Sequence, residues 1–103
     1  MKTPSEEYVR AVVDVIPYGK RNAISRRMLA SRVGMNDRNV RACIEAARRD
    51  GHFIISSNEG YYLATEPEEV ERQYRIDHAR ALSILARLTP MRRYLRAAGV
   101  DVK

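Results

Sequence analysis

The sequence predicts a mainly α-helical domain with one β-hairpin, extended at its carboxyl end by a long helix. Three observations lead to this prediction. Apolar residues recur every three or four positions up to about residue 50, short aromatic and β-branched runs follow Gly51, and a long helical pattern begins near Pro67. We therefore expect one small domain, residues 1–65, and a helical extension of it, residues 66–103.

The first predicted helix begins within residues 3–6, where Thr3 is placed to cap it and Pro4 to open it. Pro17 and Gly19 end this helix, and residues 23–24 are predicted to form a very short strand. One face of the helix carries the apolar residues Tyr8, Val9, Val12, Val13 and Ile16.

Two further helices follow in close succession. Ser25 is the predicted N-cap of the second helix, and Gly34 stands where the end of a helix takes left-handed backbone. Asn36 is the predicted N-cap of the third helix, which we expect to run to about Asp50. The predicted apolar faces are Met28, Leu29 and Val33 in the second helix, and Val40, Cys43, Ile44 and Ala47 in the third.

The spacing of the apolar residues changes after Gly51. Residues 52–55 and 61–64 are aromatic and β-branched runs on either side of a polar segment, residues 56–60, so they predict a β-hairpin. A capping pattern at residues 65–68 then opens the long helix. We expect Pro90 and the residue before it to break or kink this helix, leaving a last short helix before Gly99.

The composition is that of a basic globular protein. The chain has 19 Lys and Arg residues against 13 Asp and Glu, a net charge of +6, and 16 of the basic residues are arginine. Arginine forms forked contacts with phosphates and guanine edges, so this composition favours a nucleic-acid partner. No apolar run approaches the roughly 18 residues of a membrane-spanning helix, and we expect no membrane association.

Several other classes of protein are excluded by the residues present. The single cysteine, Cys43, cannot form an internal disulfide and fits a reducing cytoplasm, where we expect the protein to reside. His52 and His78 have no cysteine or carboxylate at the spacing of metal ligands, so we predict no metal site. Because no pattern places a nucleophile beside a base, we also predict no cofactor and no enzymatic activity.

This order of elements is the layout of a winged helix-turn-helix. Residues 24–64 resemble the winged-helix DNA-binding domain at the amino end of bacterial biotin repressors, and the chain also resembles small prophage-encoded winged-helix proteins. The features that carry the first resemblance are Ser25 with Leu29, the turn at residues 33–36, Val40 and Ile44 with Arg48 and Gly51, and residues 60–63. The chain after Thr65 departs from the repressors, so the resemblance implies DNA binding without their ligase activity or biotin site.

The resemblance implies a DNA-contacting surface centred on the third helix, whose first residues would meet base edges in the major groove. Arginine suits guanine, asparagine suits adenine, and glutamate can accept from cytosine. The candidates are Asn36, Arg38, Asn39, Arg41, Ala42, Glu45 and Arg49 on this helix, Arg26 and Arg27 for phosphates, and Ser57 and Asn58 at the hairpin tip. Alternatively, the third helix presents an ordinary solvated face. Glu45 either reads a base, pairs with Arg41, Arg48 or Arg49, or weakens binding.

The long helix carries an apolar stripe that must be buried against another apolar surface. Its steps approximate a heptad, which predicts a homodimer, while the alternative is packing against the first helix of the same chain. The predicted dimerisation residues are Val70, Tyr74, Ala81, Leu85 and Leu88. We therefore expect a dimeric, sequence-specific double-stranded DNA-binding protein, a small bacterial or phage transcriptional regulator. The alternatives are a winged helix that binds a protein, such as a phage inhibitor of host machinery, and a phage replication or recombination accessory protein.

Overall fold

The computed structural model describes residues 4–102. Within this range the chain forms two compact units, which meet in sequence between Val70 and Glu71. As predicted, the protein is mainly helical, with one antiparallel hairpin and a long carboxyl-terminal helix. Its elements are α1 (Glu6–Val15), a 3-10 turn (Lys20–Asn22), α2 (Arg26–Val33), α3 (Asp37–Arg49), β1 (Ile54–Ser57), β2 (Gly60–Leu63) and α4 (Pro67–Ala97).

Helix α1 begins after Ser5, whose hydroxyl accepts a hydrogen bond from the Tyr8 amide at 3.4 Å. The cap predicted at Thr3 lies outside the described residues. Val9, Val12 and Ile16 are buried as predicted, whereas the Tyr8 side chain is 59% exposed. Tyr8 lies at the margin of the apolar face formed by these three residues, so most of its surface remains in contact with water.

Local hydrogen bonds start α2 and α3 where the sequence predicts. The Ser25 hydroxyl accepts from the Met28 amide at 3.1 Å, and the Asn36 side chain accepts from the Asn39 amide at 2.8 Å. Between the two helices, Gly34 has a φ of 66° and ends α2 in left-handed backbone. Both predicted caps and the predicted turn are therefore confirmed.

The core lies where α1, α2 and α3 meet. The predicted apolar face of α3 is confirmed, since Val40, Cys43, Ile44 and Ala47 are all buried. In the short α2, only Leu29 is buried, and Met28 is 49% exposed, contrary to prediction. Met28 lies one position, about 100°, around the helix from Leu29, so it leaves the face that Leu29 and the half-buried Val33 turn to the core. Ile54 and Leu63 of the hairpin complete the core.

The hairpin strands pair from Ile54 with Leu63 to Ser57 with Gly60. The predicted boundaries were wrong at this point, because Ser56 and Ser57 lie in β1 and only residues 58–59 form the turn. The Ser57 hydroxyl donates to the Gly60 carbonyl at 3.1 Å and accepts from the Glu59 amide at 3.2 Å. The turn therefore has two residues, whereas the sequence predicts a polar segment of five, residues 56–60.

Ile24 pairs with the free edge of β2, as expected for the short strand predicted there. The Ile24 amide donates to the Tyr61 carbonyl at 2.9 Å, and the Tyr61 amide donates to the Ile24 carbonyl at 2.8 Å. Gly60 has a φ of 129°, and a Cβ atom at this position would overlap the Ile24 carbonyl. Glycine is therefore required where the hairpin meets the segment before α2.

Helix α4 is continuous through Pro90, so the predicted break and separate last helix were wrong. A proline removes one backbone hydrogen bond, to the carbonyl four residues earlier, and that residue, Ala86, is exposed to water. The helix opens with the Glu69 carboxylate accepting from the Thr65 amide at 3.1 Å. Among the described residues, no helix combines the length and apolar character needed to cross a membrane.

Candidate nucleic-acid interface

The exposed face of α3 carries the side chains that the sequence predicts to contact DNA. Arg38, Asn39 and Arg49 are exposed, and Ala42 between them is half-buried. Within residues 4–102, Arg38 and Arg49 form no ion pair, and the Asn39 side chain makes no hydrogen bond. Their donors are therefore free to bind a ligand. Asn36 differs, because its side-chain oxygen is occupied in capping the helix.

Asp37 joins two of the other predicted arginines. Its carboxylate forms an ion pair with Arg26, at the start of α2, and approaches Arg41, one turn further along α3, at 3.7 Å. Interaction with the nearby Tyr61 side chain, followed by the charge of Asp37, raises the pKa of Arg26. Arg27 has no ion pair with a described residue, so the two adjacent arginines, predicted to act alike, differ in their surroundings.

Arg48 fixes the end of α3 to the hairpin. Its guanidinium donates to the Ile54 carbonyl at 3.0 Å, the Ser56 hydroxyl at 3.0 Å and the Glu45 carboxylate at 2.9 Å. The Arg48 side chain is only 31% exposed, in keeping with these three contacts. Of the alternatives for Glu45, the structure therefore shows the pair with Arg48.

A shallow depression of about 280 Å³ lies between α3, the start of α2 and β2. Its charged lining consists of three arginines and one glutamate: Arg26, Arg41, Arg48 and Glu45. A second depression of about 320 Å³ continues from Arg26 and Tyr61 to the hairpin tip. The folded chain thus brings Arg26, Arg41 and the hairpin to one surface, next to the exposed face of α3.

The hairpin tip is poor in donors for phosphate. The Ser57 hydroxyl is occupied by its two bonds within the turn, while Asn58 is exposed beside the acidic Glu59. No lysine or arginine lies at residues 56–60. Of the two residues predicted to contact DNA here, only Asn58 presents an unoccupied side chain.

Sequence reasoning did not identify Asp37 or Tyr61 as parts of this surface. Asp37 and Arg41 are four positions apart on a helix, a spacing typical of ion pairs, so their contact could have been predicted from the sequence. No comparable signal links either residue to Arg26, because that contact depends on how α2, α3 and β2 pack together.

The predicted dimerisation residues all lie on α4. Tyr74 and Leu85 are 66% and 54% exposed, Ala81 is exposed, and Val70 and Leu88 are half-buried. Tyr74 stacks on His78 with ring centres 5.7 Å apart. In the described part of the chain, no three side chains of the types that bind metals come together.

Comparison of the chain with known protein families, curated proteins and solved structures gave no match.

Proposed function

We propose that this protein binds double-stranded DNA in a sequence-specific manner, as a small bacterial or phage transcriptional regulator. In this proposal residues 1–65 act as a winged helix-turn-helix, with α3 in the major groove and the β1–β2 hairpin as the wing. The three-residue turn between α2 and α3, the hairpin directly after α3, and the pairing of Ile24 with Tyr61 support it. The net charge of +6 supports a polyanionic partner.

The observation that carries the proposal is the row of unoccupied donors on α3. Arg38 and Arg49 are eleven positions apart on one helix face, about 16 Å at 1.5 Å per residue, and Asn39 lies near the amino end. That length suits a helix contacting several neighbouring base pairs in a major groove. Arginine and asparagine are also the side chains with the most selective base contacts.

The basic residues outside the row would supply affinity without sequence preference. Arg26 and Arg27 stand at the start of α2, where helices of this class approach the phosphate backbone. In this proposal α3 selects the sequence, and phosphate contacts hold it in place with a salt-dependent affinity.

The test is a binding assay on a duplex selected from a random pool. We expect Arg38→Ala to lower specific affinity by about 1–3 kcal/mol and to relax the preference at one base position. Asn39→Ala should relax the preference at a neighbouring position. Arg10→Ala removes the same charge from the exposed surface of α1 and is the matched control. If no duplex is preferred over the random pool, or if Arg38→Ala and Asn39→Ala both bind the selected duplex as wild type does, the proposal fails.

A protein partner is the second candidate function, and the carboxylates on this surface favour it. Asp37 and Glu45 are paired with three of the arginines, and Glu59 lies at the hairpin tip. Such a mixed surface suits an inhibitor of host machinery. A replication or recombination accessory protein would instead bind DNA with little sequence preference, so the salt dependence and the selectivity of binding separate the three functions.

A further inference from the structure

Apolar residues on one face of α4 form a regular seam. Because the helix continues through Pro90, the seam extends over eight positions separated alternately by four and three residues. Seven of these positions are occupied by apolar or aromatic residues and one by aspartate. The seam consists of Val70, Tyr74, Asp77, Ala81, Ile84, Leu88, Met91 and Leu95. This alternation is the heptad repeat of a coiled coil.

None of the described residues of α4 is buried in the single chain. Tyr74, Ile84 and Met91, spread along the seam, are 66%, 49% and 55% exposed. Long helices in proteins draw most of their stability from burying an apolar face. A 31-residue helix whose seam is exposed or at most half-buried therefore lacks the contacts that normally stabilise such an element.

We propose that α4 pairs with α4 of a second copy of this chain in an antiparallel coiled coil. The distribution of charge along the helix indicates that its partner is a second α4 and that the two helices run in opposite directions. The start of the helix is acidic and its end is basic, so antiparallel copies bring opposite charges together at both ends. The acidic residues are Glu66, directly before the helix, and Glu68, Glu69 and Glu71 within it; the basic ones are Arg87, Arg92, Arg93 and Arg96.

The seam is compatible with one antiparallel register in which every position has a partner. Val70 faces Leu95 of the second copy, Tyr74 faces Met91, Asp77 faces Leu88 and Ala81 faces Ile84. The twofold symmetry of the dimer repeats each of these four contacts, so all eight positions of the seam are paired.

Asp77 distinguishes the two directions. A parallel pair places its carboxylate opposite the same carboxylate of the second copy, which repels it. In the antiparallel pair it stands opposite Leu88, next to Arg87 of the second copy, while Gln73 of its own helix donates to it at 2.9 Å. Arg80 and Arg87 then face each other beside the seam, and Asp77 lies between them to offset that repulsion.

The positions beside the seam favour the same direction. In the antiparallel register Glu71 faces Arg92 of the second copy, and symmetry makes this pair twice. In a parallel register Arg92 faces Arg87 and Glu71 faces Glu66, so both contacts join like charges. These opposite expectations allow charge reversal to test the direction of pairing.

The experiment is sedimentation equilibrium on the full chain at micromolar concentrations, with helix content checked by circular dichroism. We expect a dimer, and we expect Glu71→Arg and Arg92→Glu each to raise its dissociation constant about three- to thirtyfold. The double variant Glu71→Arg/Arg92→Glu should recover wild-type association, because the reversed charges face each other again. Glu68→Arg and Arg93→Glu make the same charge changes at positions that point away from the seam, so they should raise the dissociation constant less than the first two variants and are the matched controls.

The inference does not rest on DNA binding, so the two proposals fail separately. A monomeric full chain at tens of micromolar would overturn it. Tighter association in the two single variants would also overturn it, because that is the expectation for a parallel pair. Leu88→Asp tests the seam directly: it should abolish the dimer, and a Leu88→Asp protein that still dimerises would place the interface elsewhere.

Discussion

Arg26 and Asp37 form an ion pair that joins the first residue of α2 to the first residue of α3. Both helices begin at this contact, so the pair holds the two amino ends together. The same carboxylate also approaches Arg41. The negative charge of Asp37 therefore lies among the cations that the proposed function requires, and it lowers the positive potential of that surface.

Replacing Asp37 by asparagine should strengthen binding to all DNA sequences. The change frees Arg26 and Arg41 for phosphates, and each new phosphate contact steepens the dependence of log affinity on log salt by about 0.9. We expect a slope steeper by about one to two, measured by fluorescence anisotropy over a salt series. Asp50→Asn removes a carboxylate that has no ion pair with a described residue and should change the slope less. Equal slopes in the two variants would mean that Asp37 does not restrain these arginines.

Arg48 should contribute to stability and its neighbour Arg49 should not. Truncating Arg48 to alanine removes the donors to Ile54, Glu45 and Ser56 and leaves the Ile54 carbonyl without that partner. We expect the free energy of unfolding to fall by about 1–3 kcal/mol, as measured by urea denaturation. Arg49→Ala, on the exposed face, should change it by less than about 0.5 kcal/mol. A similar loss in both variants would mean that the hydrogen bonds from Arg48 to the hairpin do not stabilise the fold.

Gly60 should tolerate alanine less well than Gly34. Both glycines have positive φ, but only at Gly60 would a Cβ meet the backbone of Ile24, whereas at Gly34 nothing lies within 4 Å. Gly34→Ala should therefore cost about 1–2 kcal/mol, the penalty for left-handed backbone. Gly60→Ala adds a backbone displacement and should cost about 3 kcal/mol or more. Thermal or urea denaturation measures both, and equal losses would argue against the close approach to Ile24.

The Cys43 thiol should be unreactive in the folded protein. Burial raises its pKa, so the protonated form persists in the native state at pH values where an exposed thiol ionises. Alkylation by iodoacetamide should be slow in buffer and fast in denaturing urea. Since only the unfolded chain ionises as the pH rises through the ordinary thiol range, stability should fall there, and Cys43→Ala should lack that component. Rapid alkylation under native conditions would contradict the burial of this side chain.

The starts of α2 and α3 and the turn between them were predictable from a few neighbouring residues. Ser25 and Asn36 each bond to an amide three positions later, and Gly34 adopts the backbone that glycine favours. The buried face of α3 followed in the same way from the 3.6-residue period. These features depend on bonds and spacings within one or two turns of chain, so the order of residues was enough to predict them.

The contacts between elements depended instead on packing. Arg26 lies eleven positions before Asp37, and Arg48 bonds to Ile54 and Ser56 across the turn at Gly51, so no local period predicts either set. Ser56 and Ser57 have the composition of a loop, yet strand pairing places them in β1. Local propensity favours a turn at these two serines. Their partners are residues of β2 and, for Ser56, the Arg48 guanidinium, and these groups meet only when the helices and the hairpin assemble.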